Sequence, residues 1–384
     1  MKTKLDKYFR ISQRGSTIGT ELIGGATTFA TMAYILAYMT GAMSAVPGID
    51  LTGVLLCTAL ITAISCIAMG LVANAPIALA PVLVIPNLVA GMVASGEATY
   101  GQAFGTVAIS GIVFLLISVF KLRDLFARSL PKNIKIGIGG AVGLLIASIG
   151  LNTSGLAAAG EDGSFINFSD KSVQLGLIGL AIALLLTYLK ITVNGRTYKI
   201  KGALLISIVL TTIIGIPMGV TVLPENIFTR GALASIGNVA FQVDILGALK
   251  LSFVPFIIML LINDFFGTLG TGLAMAGKAG LLDEDGNFPA FGKVFLVDSS
   301  ATILGSLFGI TTVSCFAESA AGVESGSRTG LSNLSTAFFF LLCMLFSPLF
   351  LMIPGAATGS ALIVVGISML ETLRDVDFSG SEFL

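Results

Sequence analysis

Two carboxylates stand where an apolar chain has least reason to hold them. Asp264 lies within "LLINDFFGTLGTG", and Glu318 follows "TTVSCFA", a run of small and hydroxyl-bearing residues. An ionisable group at membrane depth costs about 2.5–3.5 kcal/mol on insertion scales, so such groups face a cavity and serve a function. Thr311, Thr312 and Ser314 read as an extended break in a span, after which a half-helix begins with free N–H groups. A carboxylate there accepts hydrogen bonds from the N–H donors of a neutral heterocycle, and it can take up a proton. The chain has no His, so any coupled proton must ride on a carboxylate. The competing reading, in which Asp264 and Glu318 cap helix ends or pair with interior polar groups, stays open at this point. Glu21 and Asp298 read differently, as residues at the starts of the first and ninth spans that the helix dipole favours.

Positioning these groups requires a membrane bundle. Of 384 residues, 55% are hydrophobic and 11% charged, with a mean hydropathy of +0.98; soluble domains carry about 25% charged residues. Apolar runs long enough for a hydrocarbon core about 30 Å thick recur along the chain. The alternation of a β-barrel is absent, which leaves an all-α polytopic protein. Net charge is zero, so composition points to no nucleic acid or charged macromolecular partner. Cys57, Cys66, Cys315 and Cys343 lie in apolar segments without metal-ligand spacing and read as reduced packing residues. No cofactor motif, nucleophile–base pair, metal cluster or phosphate loop is present, which argues against an enzyme.

Candidate spans are 20–42, 52–74, 77–95, 103–120, 134–152, 173–189, 202–220, 250–276, 292–310, 314–326, 333–351 and 355–370. With the N-terminal segment 1–19 cytoplasmic, 18 of the 21 basic residues fall in inside loops, and only Lys171, Arg230 and Lys250 fall outside. Twelve crossings of the cell membrane follow. Asn152–Lys171 reads as an external loop, and 221–249 is polar enough to hold an interfacial helix.

Two spans are interrupted. "APIALAPVLVIPNLVAGMV" (Ala75–Val93) carries three prolines, and the stretch after Gly309 carries the Thr-rich break. They lie about 230 residues apart, as do the starts of the first and eighth spans. Each is followed, one span later, by a Pro and a Gly-rich helix, from Pro131 and from Pro354. This order predicts inverted repeats, 20–220 and an incomplete 250–384, with substrate held where the broken helices meet.

The motifs "GSTIGTELIGGATTFATMAYILA" (Gly15–Ala37), "NDFFGTLGTGLAMAGKAGLLDEDGN" (Asn263–Asn287), "VDSSATILGSLFG" (Val297–Gly309) and "ESAAGVESGSRTGLS" (Glu318–Ser332) resemble the nucleobase–cation symporter family, in its adenine/guanine/hypoxanthine branch. The resemblance runs from about Leu5 to the end of the chain. It implies a seven-plus-seven inverted-repeat fold with core and gate domains, here about seven plus five, and broken helices three and ten. It also implies proton-coupled import of purine bases. Asp264 and Glu318 match the family's substrate and proton-coupling carboxylates; Asn87, Thr268, Ser314, Phe316 and Ser319 complete the implied binding set. Gly267 replaces the family's second Asp, and Pro86 stands where its helix-three Asn is expected. Those two departures motivate an alternative, a different heterocycle or an organic anion as solute. The early stop motivates another, an inactive or shortened paralogue. Implied partners are the base, a proton or else Na+, the bilayer, and a second copy in a homodimer.

Overall fold

The computed structural model describes residues 4–120, 132–157, 166–193, 196–200, 202–284 and 288–370. The chain begins with α1 (Lys4–Phe9), α2 (Ile18–Met32), α3 (Tyr34–Met43) and α4 (Leu51–Ala68). Strand β1 (Leu79–Pro81) leads to α5 (Ile85–Ala94), α6 (Tyr100–Val119), α7 (Lys132–Thr153) and α8 (Lys171–Tyr188). After the hairpin β2 (Lys190–Val193) and β3 (Arg196–Lys199) come α9 (Ala203–Met218), α10 (Ala232–Val239) and α11 (Ile245–Ala248). The remainder is α12 (Val254–Lys278), α13 (Phe291–Leu307), β4 (Val313–Cys315), α14 (Ser319–Glu324), α15 (Leu331–Cys343), α16 (Ser347–Leu351) and α17 (Gly355–Leu370).

Every expected span meets a helix or a broken helix at its place. Among the described residues, six helical stretches are long and apolar enough to cross a membrane, the longest being Leu251–Lys278, and shorter apolar helices accompany them. The basic residues of 121–131, the middle of the Asn152–Lys171 loop and Arg374 lie outside the described residues. The segment 221–249 does hold a short amphipathic helix: α10 buries Val239 against α4 and leaves Leu233 87% exposed. The four cysteines are free and buried.

Two compact units divide the chain: Met1–Leu130 with Thr229–Leu345, and Pro131–Phe228 with Phe346–Leu384. Within the second unit, α17 packs on α7 at glycines. A Cβ on Gly150 would stand 2.7 Å from the Gly359 carbonyl oxygen, so the two backbones touch. The Ser360 hydroxyl ties α17 to α8 through the Gly176 carbonyl at 2.7 Å.

The first unit is built around the two breaks. Helix α4 ends in a π-turn, Met69–Ala73, and Asn74 takes a left-handed conformation at φ 48°. Pro76 and Pro81 keep the residues before them, Ala75 and Ala80, out of the helical region, and Pro86 in the first turn lets α5 start. On the other side, Gly309 at φ 68° ends α13 and the chain runs extended into β4. The two short strands pair antiparallel, Leu79 opposite Cys315 and Pro81 opposite Val313.

A break inside a bilayer must satisfy its backbone within the protein. Here Asn333 on α15 donates to the Ala75 and Ile77 carbonyls at 3.0 and 2.7 Å. Ala78 N–H donates to the Ser319 hydroxyl, and Phe316 N–H to the Ala78 carbonyl, each at 2.9 Å. Thr302 on α13 accepts from Val313 N–H at 3.1 Å. Glu21, buried in the first turn of α2, has the N-terminal placement read from sequence and also accepts from Arg328 N–H at 2.8 Å and Thr329 N–H at 3.3 Å.

At the opposite end of α4, Asp50 is the N-cap: it accepts from Gly53 N–H and from the Asn238 amide, each at 3.0 Å. Burial alone would raise its pKa, but bonds from Gly53, Asn238, Ser235 and Thr52 outweigh that and hold it below the ordinary carboxylate value. A depressed folded-state pKa contributes stability above the unfolded value and loses it as pH falls through the folded one. Replacing Asp50 by Ala is therefore expected to cost about 1 kcal/mol. The melting temperature of the native protein should fall between about pH 4 and lower values, and Asp50→Asn should flatten that dependence in a thermal-shift series.

Candidate substrate site

The polar centre of the first unit forms where α12 and α13 meet β4. Asp264 lies mid-way along α12 and is 1% exposed. The Thr302 hydroxyl stands 2.9 Å from Asp264 Oδ2 and 3.0 Å from the Val313 carbonyl while accepting from Val313 N–H. Its single proton serves one acceptor at a time. One turn along α12, the Thr268 hydroxyl donates to Asp298 Oδ2 and sits 2.7 Å from Ser314 Oγ. While Asp298 is ionised, Thr268 spends its proton on it and Ser314 is the donor to Thr268; a proton on Asp298 would reverse that order. Among the described residues, Asp264 Oδ1 and Asp298 Oδ1 are buried with no hydrogen-bond partner. Burying such acceptors unsatisfied costs free energy that a ligand N–H or a proton would recover.

Asp298 overturns its sequence reading. It does not open a helix at a membrane surface; it lies two turns inside α13, fully buried and close enough to Asp264 to feel its charge. The helix begins at Phe291, and the intervening residues carry the carboxylate inward. The signal was available in "FGKVFLVDSS", where Asp298 follows a run of apolar side chains rather than preceding one.

Glu318 forms a second cluster at the start of α14. It is half-buried, and its Oε1 accepts from the Tyr34 hydroxyl at 2.6 Å. Thr31 donates to the Glu318 carbonyl at 3.2 Å. Tyr38, one turn beyond Tyr34 on α3, donates to the Leu83 carbonyl and accepts from the half-buried Asn87 amide. Both tyrosines escaped the sequence reading. Two Tyr four residues apart in an apolar span, in a chain with only six, were the available sign.

The remaining residues are placed as follows. Ser314 and Thr268 touch, and the Gly267 position faces Ser314, whose Oγ would lie 3.6 Å from an added Cβ. The Ser319 hydroxyl and the Phe316 N–H are committed to Ala78, just before β1, and the Phe316 ring is buried. Helix α12, which carries Asp264, packs against both β4 and α14, the helix that Glu318 precedes. Among the described residues, no group of His, Cys, Asp and Glu could hold a metal ion.

Comparison with known proteins decides the family. A family model for xanthine/uracil-type permeases, described as "Permease family", matches residues 19–381. This chain belongs to that permease family. The adenine permease AdeP of Escherichia coli K12 is 33% identical over 380 residues, covering 97% of this chain and 82% of AdeP. The guanine/hypoxanthine permease GhxP of Escherichia coli O157:H7 is 32% identical over 382 residues, covering 98% and 83%. Among solved structures, the transmembrane domain of the cyanobacterial bicarbonate transporter BicA superposes with a TM-score of 0.68 at 17% identity, covering 92% of this chain and 89% of that one. SLC26A9 superposes at 0.65 and 16% identity, covering 97% and 60%. The fold is thus the inverted-repeat, core-and-gate fold of these transporters. A multi-pass permease, not an enzyme, is what the sequence encodes.

Proposed function

We propose that this permease imports purine nucleobases such as guanine, hypoxanthine or adenine across the cell membrane, coupled to protons, by alternating access. The observation that carries the reading is the set of carboxylate oxygens gathered around β4, two of them buried and unpartnered, beside a half-buried glutamate. A purine offers ring and exocyclic N–H donors, and acceptor-rich sites select for them. In this reading the base lies between Asp264 and Glu318, with Asn87, Thr268 and Ser314 around it; Phe316 and Ser319 shape the break that presents Glu318. Asp298, tied to Thr268, joins Asp264 and Glu318 as a group that can hold the coupled proton. The N-terminus is cytoplasmic, and the two repeats run over 20–220 and from 250 onward. The names of the adenine and guanine/hypoxanthine permease relatives support the substrate class.

The test is uptake of labelled hypoxanthine, guanine and adenine over a pH series. Saturable uptake that rises as external pH falls, and collapses with a protonophore, is the expected result. Uptake that ignores pH and follows a Na+ gradient would transfer the coupling to sodium. No uptake of any purine would end the substrate assignment.

A further inference from the structure

We infer that the cavity between α5 and α12 is a separate entry site for a planar nitrogen heterocycle, occupied before the base reaches the carboxylates. The inference rests on the transport reading above and adds a second binding place to it. The cavity measures about 640 Å³, inside the roughly 300–1,000 Å³ range of small-molecule sites. Met92 on α5 and Phe253, Phe256 and Met259 around the start of α12 line it, with Glu97 and Ser252 supplying its polar atoms.

Position makes it part of a path. On α5, Asn87 and Leu88 in the first turns lead to Met92. On α12, Phe256 and Met259 continue at helical spacing to Asn263 and Gly267, and Gly267 faces Ser314. The cavity therefore shares one face of α12 with Gly267, and its Leu88 adjoins Asn87 on α5. The far end of α12 is on the opposite side, since Lys278 pairs with Glu324 at 3.6 Å, near the loop where Arg328 meets Glu21. The cavity accordingly opens away from the N-terminal segment, the external side in the orientation proposed above.

Its chemistry selects the occupant. Aromatic rings and polarisable thioethers favour a flat π-system, which stacks without needing a particular ring substituent. The single charged group of the lining, Glu97, is an exposed carboxylate that accepts from ring N–H donors, while the Lys250 ammonium stands 5.7 Å from the centroid of the Phe253 ring. A neutral purine satisfies both demands. A bicarbonate-like anion satisfies neither, and a lipid chain leaves the carboxylate unused.

Thiol protection tests it. The four native cysteines are buried, so Met92→Cys, or Ser252→Cys as a second reporter, offers an impermeant methanethiosulfonate its one accessible target among the described cysteines. Hypoxanthine at saturation is expected to slow modification at least fivefold (roughly 1 kcal/mol by the usual conversion). The slowing should persist in a double variant carrying Glu318→Gln, in which the central site is disabled. Protection lost in the double variant would overturn the entry site, because the first would then merely report the central one. Labelling blocked by lipid but indifferent to hypoxanthine would overturn it too, as would a reporter that never reacts. Hypoxanthine uptake by the unaltered chain reads the transport assignment separately, so the two failures are told apart.

Discussion

Asp264→Asn and Glu318→Gln are each expected to abolish purine uptake while the protein still inserts in the membrane. Both substitutions keep size and shape, so packing around α12 and β4 is retained. What changes is the acceptor. Glutamine at 318 can still take the Tyr34 hydroxyl on its carbonyl oxygen, but it presents an amide donor where a carboxylate oxygen faced the ligand. Asparagine at 264 likewise replaces the unpartnered Oδ1, or Oδ2 beside Thr302, with a group that cannot accept. A hydrogen bond to a charged group contributes about 1.5–3 kcal/mol, and two of them to one base correspond to a loss of roughly 10²–10⁴ in uptake efficiency. Insertion should not suffer, since a neutral amide is less costly at membrane depth than a carboxylate. Initial uptake rates, measured beside membrane protein levels, decide the matter; undiminished transport in both variants would remove the proposed site.

A large structural effect is expected at Gly330. Its α-carbon lies against Gly70 of the π-turn, and an added Cβ would stand 2.2 Å from the Gly70 carbonyl oxygen and 2.6 Å from its Cα. Both neighbours are backbone, so neither can rotate away. Gly330 N–H also donates to Asn74 Oδ1 at 2.8 Å, and Thr329 before it is bound to Glu21. Pushing the two glycines apart therefore loosens the left-handed turn at Asn74 and the loop leading into α15 together. Gly330→Ala is expected to cost about 1–3 kcal/mol or more, a large share of a total stability of about 5–15 kcal/mol. The melting temperature of the purified protein should drop by several degrees and the folded yield with it. Gly41→Ala on α3, where nothing lies within 4 Å, is the matched control, and it should gain up to about 1 kcal/mol of helix propensity. Equal melting temperatures for the two variants would contradict the close approach.

Sequence alone was enough for the membrane class, the order of helices and the two breaks, and it drew attention to Asp264 and Glu318 as carboxylates in apolar surroundings. Hydropathy is a local property, Pro and Gly act on their own backbone, and a carboxylate in an apolar run carries its cost wherever the chain folds. Partnership was another matter. Tyr34 meets Glu318 across 284 positions, Asn333 reaches the Ile77 carbonyl across 256, and Ser319 holds Ala78 across 241. No spacing rule encodes such contacts, because they depend on how the second break docks beside the first. Asp298 shows the same limit at shorter range: its role turns on which face of α13 points at Thr268, which helix packing sets. The tertiary structure therefore decided which polar groups are satisfied and which are left open, and an open acceptor in a buried place is what a ligand can fill.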